Sequence, residues 1–425
     1  MRTELNNERI YAYSPSANVV CRVLIPQRFT REQYEVAMRD LIKALPHLNS
    51  VFDIDDQRNP YLREVAFMMP EIIYMNRINS KFYRKVVQEE ERIPFVRRNN
   101  PLYRIVVLED EEKSELLWIS HRLLLDEEST KRVCSAFVSH LQGEELPEFS
   151  FVSGHEVSES LNYYWSFKKK RLLHYFEKHQ HEFKEIRYRE MFMDYYSKHR
   201  TKIEEISFTQ EDTKALLMYC KEANVSLDAL INVCFACAQE KHENKNNKAF
   251  HTIVWGDTSK STRETELGYF KDIAKLEFTY ANRKSLKDNV IRFENLVSKL
   301  KQSSEIHESS FIHNLPVDLL GDMFALGDSN QEDYAVSSLK KAIYDVKHRH
   351  GMAYLPLQAT TCKGCELFQV LPSLFLNDEK MVCSVICNDC LNITMQYNRM
   401  NTNSKDMREI MNCVVAMLSN CCKGD

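Results

Sequence analysis

The spacing of apolar residues in this chain switches repeatedly between the two-residue repeat of a strand and the three-to-four-residue repeat of a helix. That alternation limits the fold more than any other feature of the sequence. "NVVCRVLIP" reads as a buried strand, and "FTREQYEVAMRDLIKAL" as a helix. Thr30 and Gln33 have the spacing of a capping box, Tyr34, Ala37, Leu41 and Leu45 share one face, and Pro46 ends the helix. "LYRIVVL" and "ELLWIS" are two strands joined across "EDEEKS", the pattern of a hairpin. After Asp126 the helical repeat returns: Val133, Phe137, Val138 and Leu141 line one face, Ser129 is placed to cap the helix and Gly143 to stop it. "EISFTQEDTKALLMYCKEA" then repeats the grammar of "RFTREQYEVAMRDLIKAL", which suggests two similarly built halves. A second helix "SLDALINVCFACAQE", strands "AFHTIVWG" and "KLEFTY", helix "SLKDNVIRFENLVSKLKQ", a hairpin of "KMVCSVI" and "LNITMQYN", and a last helix "SKDMREIMNCVVAMLSNC" follow. The class is α/β (α+β).

With 425 residues, 44% of them apolar, the chain can bury a large core. A net charge of −4 argues against nucleic acid as a partner, since phosphate binding needs a basic face. The basic stretch "FKKKRLLHYFEKH" from Phe167 is broken by aromatic residues and reads as a solvated helix face. No segment has the uninterrupted apolar length of a membrane span. "MRTELNNERIY" lacks the apolar core of a signal peptide, so a cytoplasmic location is expected, with the 13 cysteines as thiols or metal ligands. There is no P-loop, dinucleotide fingerprint or GxSxG elbow.

The stretch "LLWISHRLLLDEEST" ends a strand in His121 and Arg122, with Asp126, Glu127 and Ser129 after a loop of leucines. Hairpin strand, short loop and capped helix together resemble the condensation-domain branch of the CoA-dependent acyltransferase superfamily, which includes chloramphenicol acetyltransferase. The family pattern is HHxxxDG with a serine shortly after; here it reads HRLLLDE, with Ser129 in register. "WGDTSKSTRETELGYFKDIAKLEF" resembles the family stretch that passes through an arginine, here Arg263, to a GYF-type turn at Gly268, Tyr269 and Phe270. "SFIHNLPVDLL", then "LNITMQYN" with the terminal helix, resemble later family segments in the same order. The resemblance implies two chloramphenicol-acetyltransferase-like halves in a V shape with a tunnel between them. The expected boundaries are residues 1–160 for the half carrying the motif, 161–204 for a helical connection and 205–425 for the second half.

The departures fall where chemistry would occur. In the family the second histidine faces the tunnel and takes or steers the proton of an attacking amine or hydroxyl, work that suits a pKa near neutrality. Arg122 stands there instead, and a guanidinium stays protonated and cannot act as a general base. Glu127 replaces a glycine whose backbone lies near the substrate path, and its side chain is expected to crowd the tunnel. His121 corresponds to the family's structural histidine. Asp126 is expected to pair with Arg122 or with Arg263. Arg122 is either a plug in the tunnel or a binder of an anion or carbonyl. The candidate catalytic positions are thus His121, Arg122 and Asp126, and the candidate substrate contacts are Glu127, Ser129 and Arg263. A similar HRxxxD pattern occurs in a non-catalytic condensation-type domain of some peptide synthetases, which recruits haem monooxygenases.

The cysteines carry a separate signal. "CKGC" (Cys362, Cys365) and "CNDC" (Cys387, Cys390) have the spacing of a four-thiolate structural zinc site. The rival reading is that "ND" is simply a two-residue hairpin turn. A third pair, Cys234 and Cys237, lies within a helical pattern and reads as core packing.

Two functions remain open. One is a binding module of nonribosomal-peptide-synthesis type that lacks histidine general-base chemistry. It would engage an acyl or peptidyl carrier protein, an acyl-CoA or a partner enzyme. The other is an active acyltransferase that makes an ester or amide from an acyl-CoA or phosphopantetheine thioester.

Overall fold

The computed structural model describes residues 2–4, 18–54, 60–90, 93, 95, 100–151, 201–243, 250–257, 266–268, 271–302, 351–354, 357–360, 364–372, 380–399 and 402–423. The first half begins with β1 (Asn18–Ile25) and α1 (Arg31–Ala44). The expected capping box is present: Thr30 Oγ1 accepts the Gln33 N–H, and Gln33 Oε1 accepts the Thr30 N–H. Phe29, just before the cap, packs edge-on against Tyr34, which fixes how the chain enters the helix. Then come β2 (Ile72–Asn76), α2 (Phe82–Glu90), β3 (Tyr103–Glu109), β4 (Ser114–His121), α3 (Glu127–Leu141) and the short β5 (Ser150–Phe151). Strands 2–4, 50–54 and 60–64 form a separate small sheet.

All eight residues of β4 are buried, so both faces of the sheet are covered there. One face carries Tyr103 and Trp118, stacked at 5.3 Å, with Phe137 of α3 edge-on to the indole at 5.6 Å. The opposite face carries Arg22, Arg104, Glu115 and His121, all buried.

The second half starts with β6 (Thr201–Ser207), α4 (Gln210–Ala223), α5 (Leu227–Glu243), β7 (Phe250–Asp257), β8 (Glu266–Leu267), β9 (Lys271–Phe278) and α6 (Leu286–Gln302). It continues with β10 (Gly351–Tyr354), β11 (Gln358–Thr360), β12 (Leu367–Pro372), β13 (Lys380–Cys387), β14 (Cys390–Asn398) and α7 (Ser404–Lys423). Thr209 caps α4 as Thr30 caps α1, so the echo between "RFTREQ" and "SFTQED" is an echo of helix starts. Of the connection expected over 161–204, residues 201–204 belong to β6, and 161–200 lie outside the described residues. "SFIHNLPVDLL" and the basic stretch from Phe167 lie outside them as well.

The main sheet of the second half has the order β9-β7-β10-β13-β14-β6, with β11 also on β13. The sheet of the first half has the order β12-β1-β4-β3-β2. Its edge strand β12 comes from the second half of the sequence and pairs antiparallel with β1, Leu367 opposite Leu24 through Pro372 opposite Val19. A second crossing is the parallel pair of β8 with β5. No described helix is long and apolar enough to cross a membrane.

Candidate functional site

β4 delivers His121 to the end of a fully paired strand, where its N–H donates to the Leu102 carbonyl at 2.8 Å. The chain then turns tightly: the N–H groups of Leu124 and Leu125 both donate to the His121 carbonyl. The imidazole is fully buried. Its Nδ1 accepts the Leu123 N–H at 3.1 Å, which assigns the ring proton to Nε2, and Phe95 packs edge-on against it. These contacts tie the imidazole to the backbone of the loop that follows it.

Asp126 closes the loop as the N-cap of α3, its Oδ1 accepting the Ser129 N–H at 2.7 Å. The expectation that Ser129 caps this helix is corrected: Ser129 lies in the first turn, and its hydroxyl faces the second half. It donates to the Gly268 carbonyl at 2.9 Å and accepts the Gly268 N–H at 3.0 Å. The Asp126 N–H also reaches the Gly268 carbonyl, at 3.5 Å. The motif loop and the GYF-type segment are therefore clasped through backbone, with β5 and β8 paired beside them. Tyr269, Phe270 and Arg263 lie outside the described residues.

Arg122 is one of the largest fully buried side chains of the protein. Its Nη2 lies 2.9 Å from Glu127 Oε1, and both side chains are almost wholly removed from solvent. The acid expected beside Arg122 is Asp126; the structure also places Glu127 there, in the first turn of α3, where the helix dipole favours an acid. Arg122 and Glu127, on either side of the leucine loop, thus form one buried ion pair.

Of the two readings of CNDC, the hairpin turn is present in the structure. Asn388 and Asp389 both have positive φ, 49° and 59°, the signature of the type I′ turn that joins β13 to β14. Cys387 and Cys390 are cross-strand partners flanking that turn. The Cys387 thiol points at the Glu366 carbonyl, 3.7 Å away, and Asn388 Nδ2 donates to the Cys365 carbonyl at 2.7 Å. Cys362 lies outside the described residues. The other three are not among the described groups whose ligand atoms all lie within 4.8 Å of one another, and the four-cysteine reading extends to a residue outside the described ones. Among the described residues the group with metal-ligand proximity is His242, Asp406 and Glu409, on α5 and α7, where both ring nitrogens lie 3.4 Å from a carboxylate. Cys234 and Cys237 are buried in α5, and burial pushes both thiols up, Cys234 well above its ordinary value. That is the behaviour of core thiols.

A charge network missed in the sequence reading lies on the same face of the first sheet as His121. Arg22 pairs with buried Glu115 on the neighbouring strand and with Glu205 of β6, and it lies over the Tyr83 ring. Arg84 of α2 also binds Glu205, at 2.8 Å, and Arg77 lies 3.1 Å from Glu115. Its only sequence signal is an arginine within "NVVCRVLIP" and a glutamate within "ELLWIS", charges in otherwise apolar strands.

No family model matches the chain, and no curated protein matches it. Solved structures do. The first condensation domain of the CDA synthetase superposes with a TM-score of 0.68 at 11% identity, covering 99% of this chain and 96% of that one. The epimerization domain from the third module of tyrocidine synthetase B gives 0.66 at 12% identity, over 100% and 96%. The condensation domain of the Monacolin K polyketide synthase MokA gives 0.67 at 7% identity, over 100% and 98%. The chain has a condensation-domain-like fold. At these identities the likeness is one of fold, and function has to be argued from the site.

Proposed function

We propose that this protein is a condensation-fold binding module that engages an acyl thioester on a carrier protein or on CoA, or a partner enzyme, without histidine general-base acyl transfer. The observation that carries the reading is the buried Arg122–Glu127 pair at the motif. A general base must hold a lone pair ready near operating pH. A guanidinium has none, and its carboxylate partner is occupied by the charge beside it. His121 is a poor substitute, because its Nδ1 already accepts a backbone N–H and the loop geometry depends on that bond. The other readings of the motif residues follow from this: Asp126 and Ser129 hold the loop and its Gly268 clasp, and Glu127 serves Arg122. A tunnel between the halves, which the resemblance implies, would take the thioester arm. Carrier proteins are natural candidates for the partner, since the fold is that of domains from peptide and polyketide synthetases.

The test is binding. Purified protein is titrated with acyl-CoAs and with acyl-loaded holo-carrier proteins, and melting temperature and calorimetric heat are recorded. Saturable binding to at least one thioester or carrier is expected. Absence of binding across the panel would overturn the thioester and carrier arm of the proposal.

A further inference from the structure

α5 and α7 pack against each other over the core of the second half. The last turn of α5 carries His242. The first turn of α7 carries Asp406, with Glu409 three residues further on and so on the same face of the helix. The three side chains converge where the end of one helix meets the start of the other. His242 Nε2 lies 3.4 Å from Asp406 Oδ1, and His242 Nδ1 lies 3.4 Å from Glu409 Oε2. Taken one per residue, the ligand atoms of the three all lie within 4.8 Å of one another.

Helix electrostatics account for the charges but not for the spacing. An acid is favoured in the first turn of a helix and a cation in the last. An imidazolium held between two acids would draw them in to about 2.7–2.9 Å, the length of a charge-assisted hydrogen bond. Both contacts are longer than that. Around a zinc ion with bonds of about 2.0–2.1 Å, tetrahedral nitrogen and oxygen ligands stand about 3.3–3.4 Å apart. His242 Nε2 and Asp406 already have that separation. Glu409 is half-exposed and has room to close on the same point.

The donor set selects the ion. An imidazole nitrogen favours zinc and its transition-metal neighbours over magnesium and calcium, which take oxygen ligands. Two carboxylates balance the charge of a dication. The competing cation is Lys405, 3.9 Å from Glu409 Oε1 and itself largely exposed, so it holds Glu409 weakly.

We propose that His242, through Nε2, Asp406 and Glu409 bind a divalent transition-metal ion of the zinc class, with water completing the coordination. The ion pins the end of α5 to the start of α7. The site uses none of the motif residues and none of the cysteines, so it does not depend on the binding function proposed above.

The experiment titrates EDTA-stripped, full-length protein with zinc chloride in a calorimeter. It compares wild type with His242→Gln, Asp406→Asn and Lys405→Ala, each verified as folded by circular dichroism. Wild type should show a saturable site whose affinity falls about tenfold or more in His242→Gln and in Asp406→Asn, since each removes one of three protein ligands. Lys405→Ala keeps all three and should bind zinc at least as tightly as wild type. Zinc should raise the wild-type melting temperature by mass action and leave those of the two ligand variants unchanged. Magnesium chloride should shift none of them. With cobalt(II) in place of zinc, the spectrum lost on going from wild type to His242→Gln should contain visible d–d bands and no thiolate-to-metal charge transfer. Absence of zinc binding by wild type, or equal affinity in wild type and both ligand variants, overturns the site and leaves a histidine bridging two acids. A thiolate band in the lost spectrum would put the ion on cysteines and overturn it as well.

Discussion

Arg122 and Glu127 are each costly to bury and together form a pair that the fold can hold. Removing one partner leaves the other charge in a dry site, a change that typically costs about 3–5 kcal/mol. Arg122→Ala is therefore expected to lower stability by about that amount in chemical denaturation, and Arg122→Met combined with Glu127→Leu by much less. Equal loss in the single and double variants would show that the pair is not the unit. Ser129 acts through hydrogen bonds instead. Ser129→Ala deletes both bonds to the Gly268 backbone and is expected to cost about 1–3 kcal/mol. Hydrogen exchange at Gly268 should quicken with it; unchanged exchange there would separate Ser129 from the clasp. At this scale the sequence shows that Arg122 cannot be a base, because residue type alone decides that. It does not show which acid pairs with it, since Asp126 and Glu127 are adjacent and only the turn at Leu123–Leu125 fixes their directions. The cap was misread for a similar reason: Asp126 and Ser129 are both good cap residues, and the loop geometry chooses Asp126.

At the scale of elements, periodicity gave most strands and helices, because each is set by local alternation and local caps. It could not give partners far away in sequence. β12 reads as a strand, yet nothing within it says that it joins the first sheet rather than the second. For the CNDC pair the sequence left half of a metal site and a hairpin turn both open, and the positive φ of Asn388 and Asp389 shows the turn. The Arg22–Glu205 bridge ties β1 and α2 to β6, and its acid end has a definite pH signature. Burial alone would raise the Glu205 carboxyl, but Arg22, then Arg84 and Tyr83, outweigh it and hold the pKa below the ordinary carboxylate value. A depressed acid stabilises the fold above its unfolded pKa, about 4.3, and that contribution is lost as pH falls through the lower folded value. Glu205→Gln should therefore be less stable than wild type at pH 7, and the gap should close as the pH drops below about 4. A gap that widens on acidification would contradict the assignment.

For the whole molecule, the halves are joined by strand exchange at β12, the β5–β8 pair, the Ser129–Gly268 clasp and the charge network around Arg22. The face of the first sheet that carries His121 is the one turned toward the second half, so the motif loop sits at the junction. The account's central claim is that the fold is kept while the base is replaced. The most direct measurement is thioester consumption, followed as thiol release across a panel of acyl-CoAs and carrier-bound acyl groups with amine and alcohol acceptors. It is run on wild type and on Arg122→Ala verified as folded by circular dichroism. The account predicts that wild type releases thiol no faster than buffer and that the variant does not change this. Robust wild-type turnover, lost in a still-folded Arg122→Ala protein, would contradict it and make the arginine a working part of an acyltransferase.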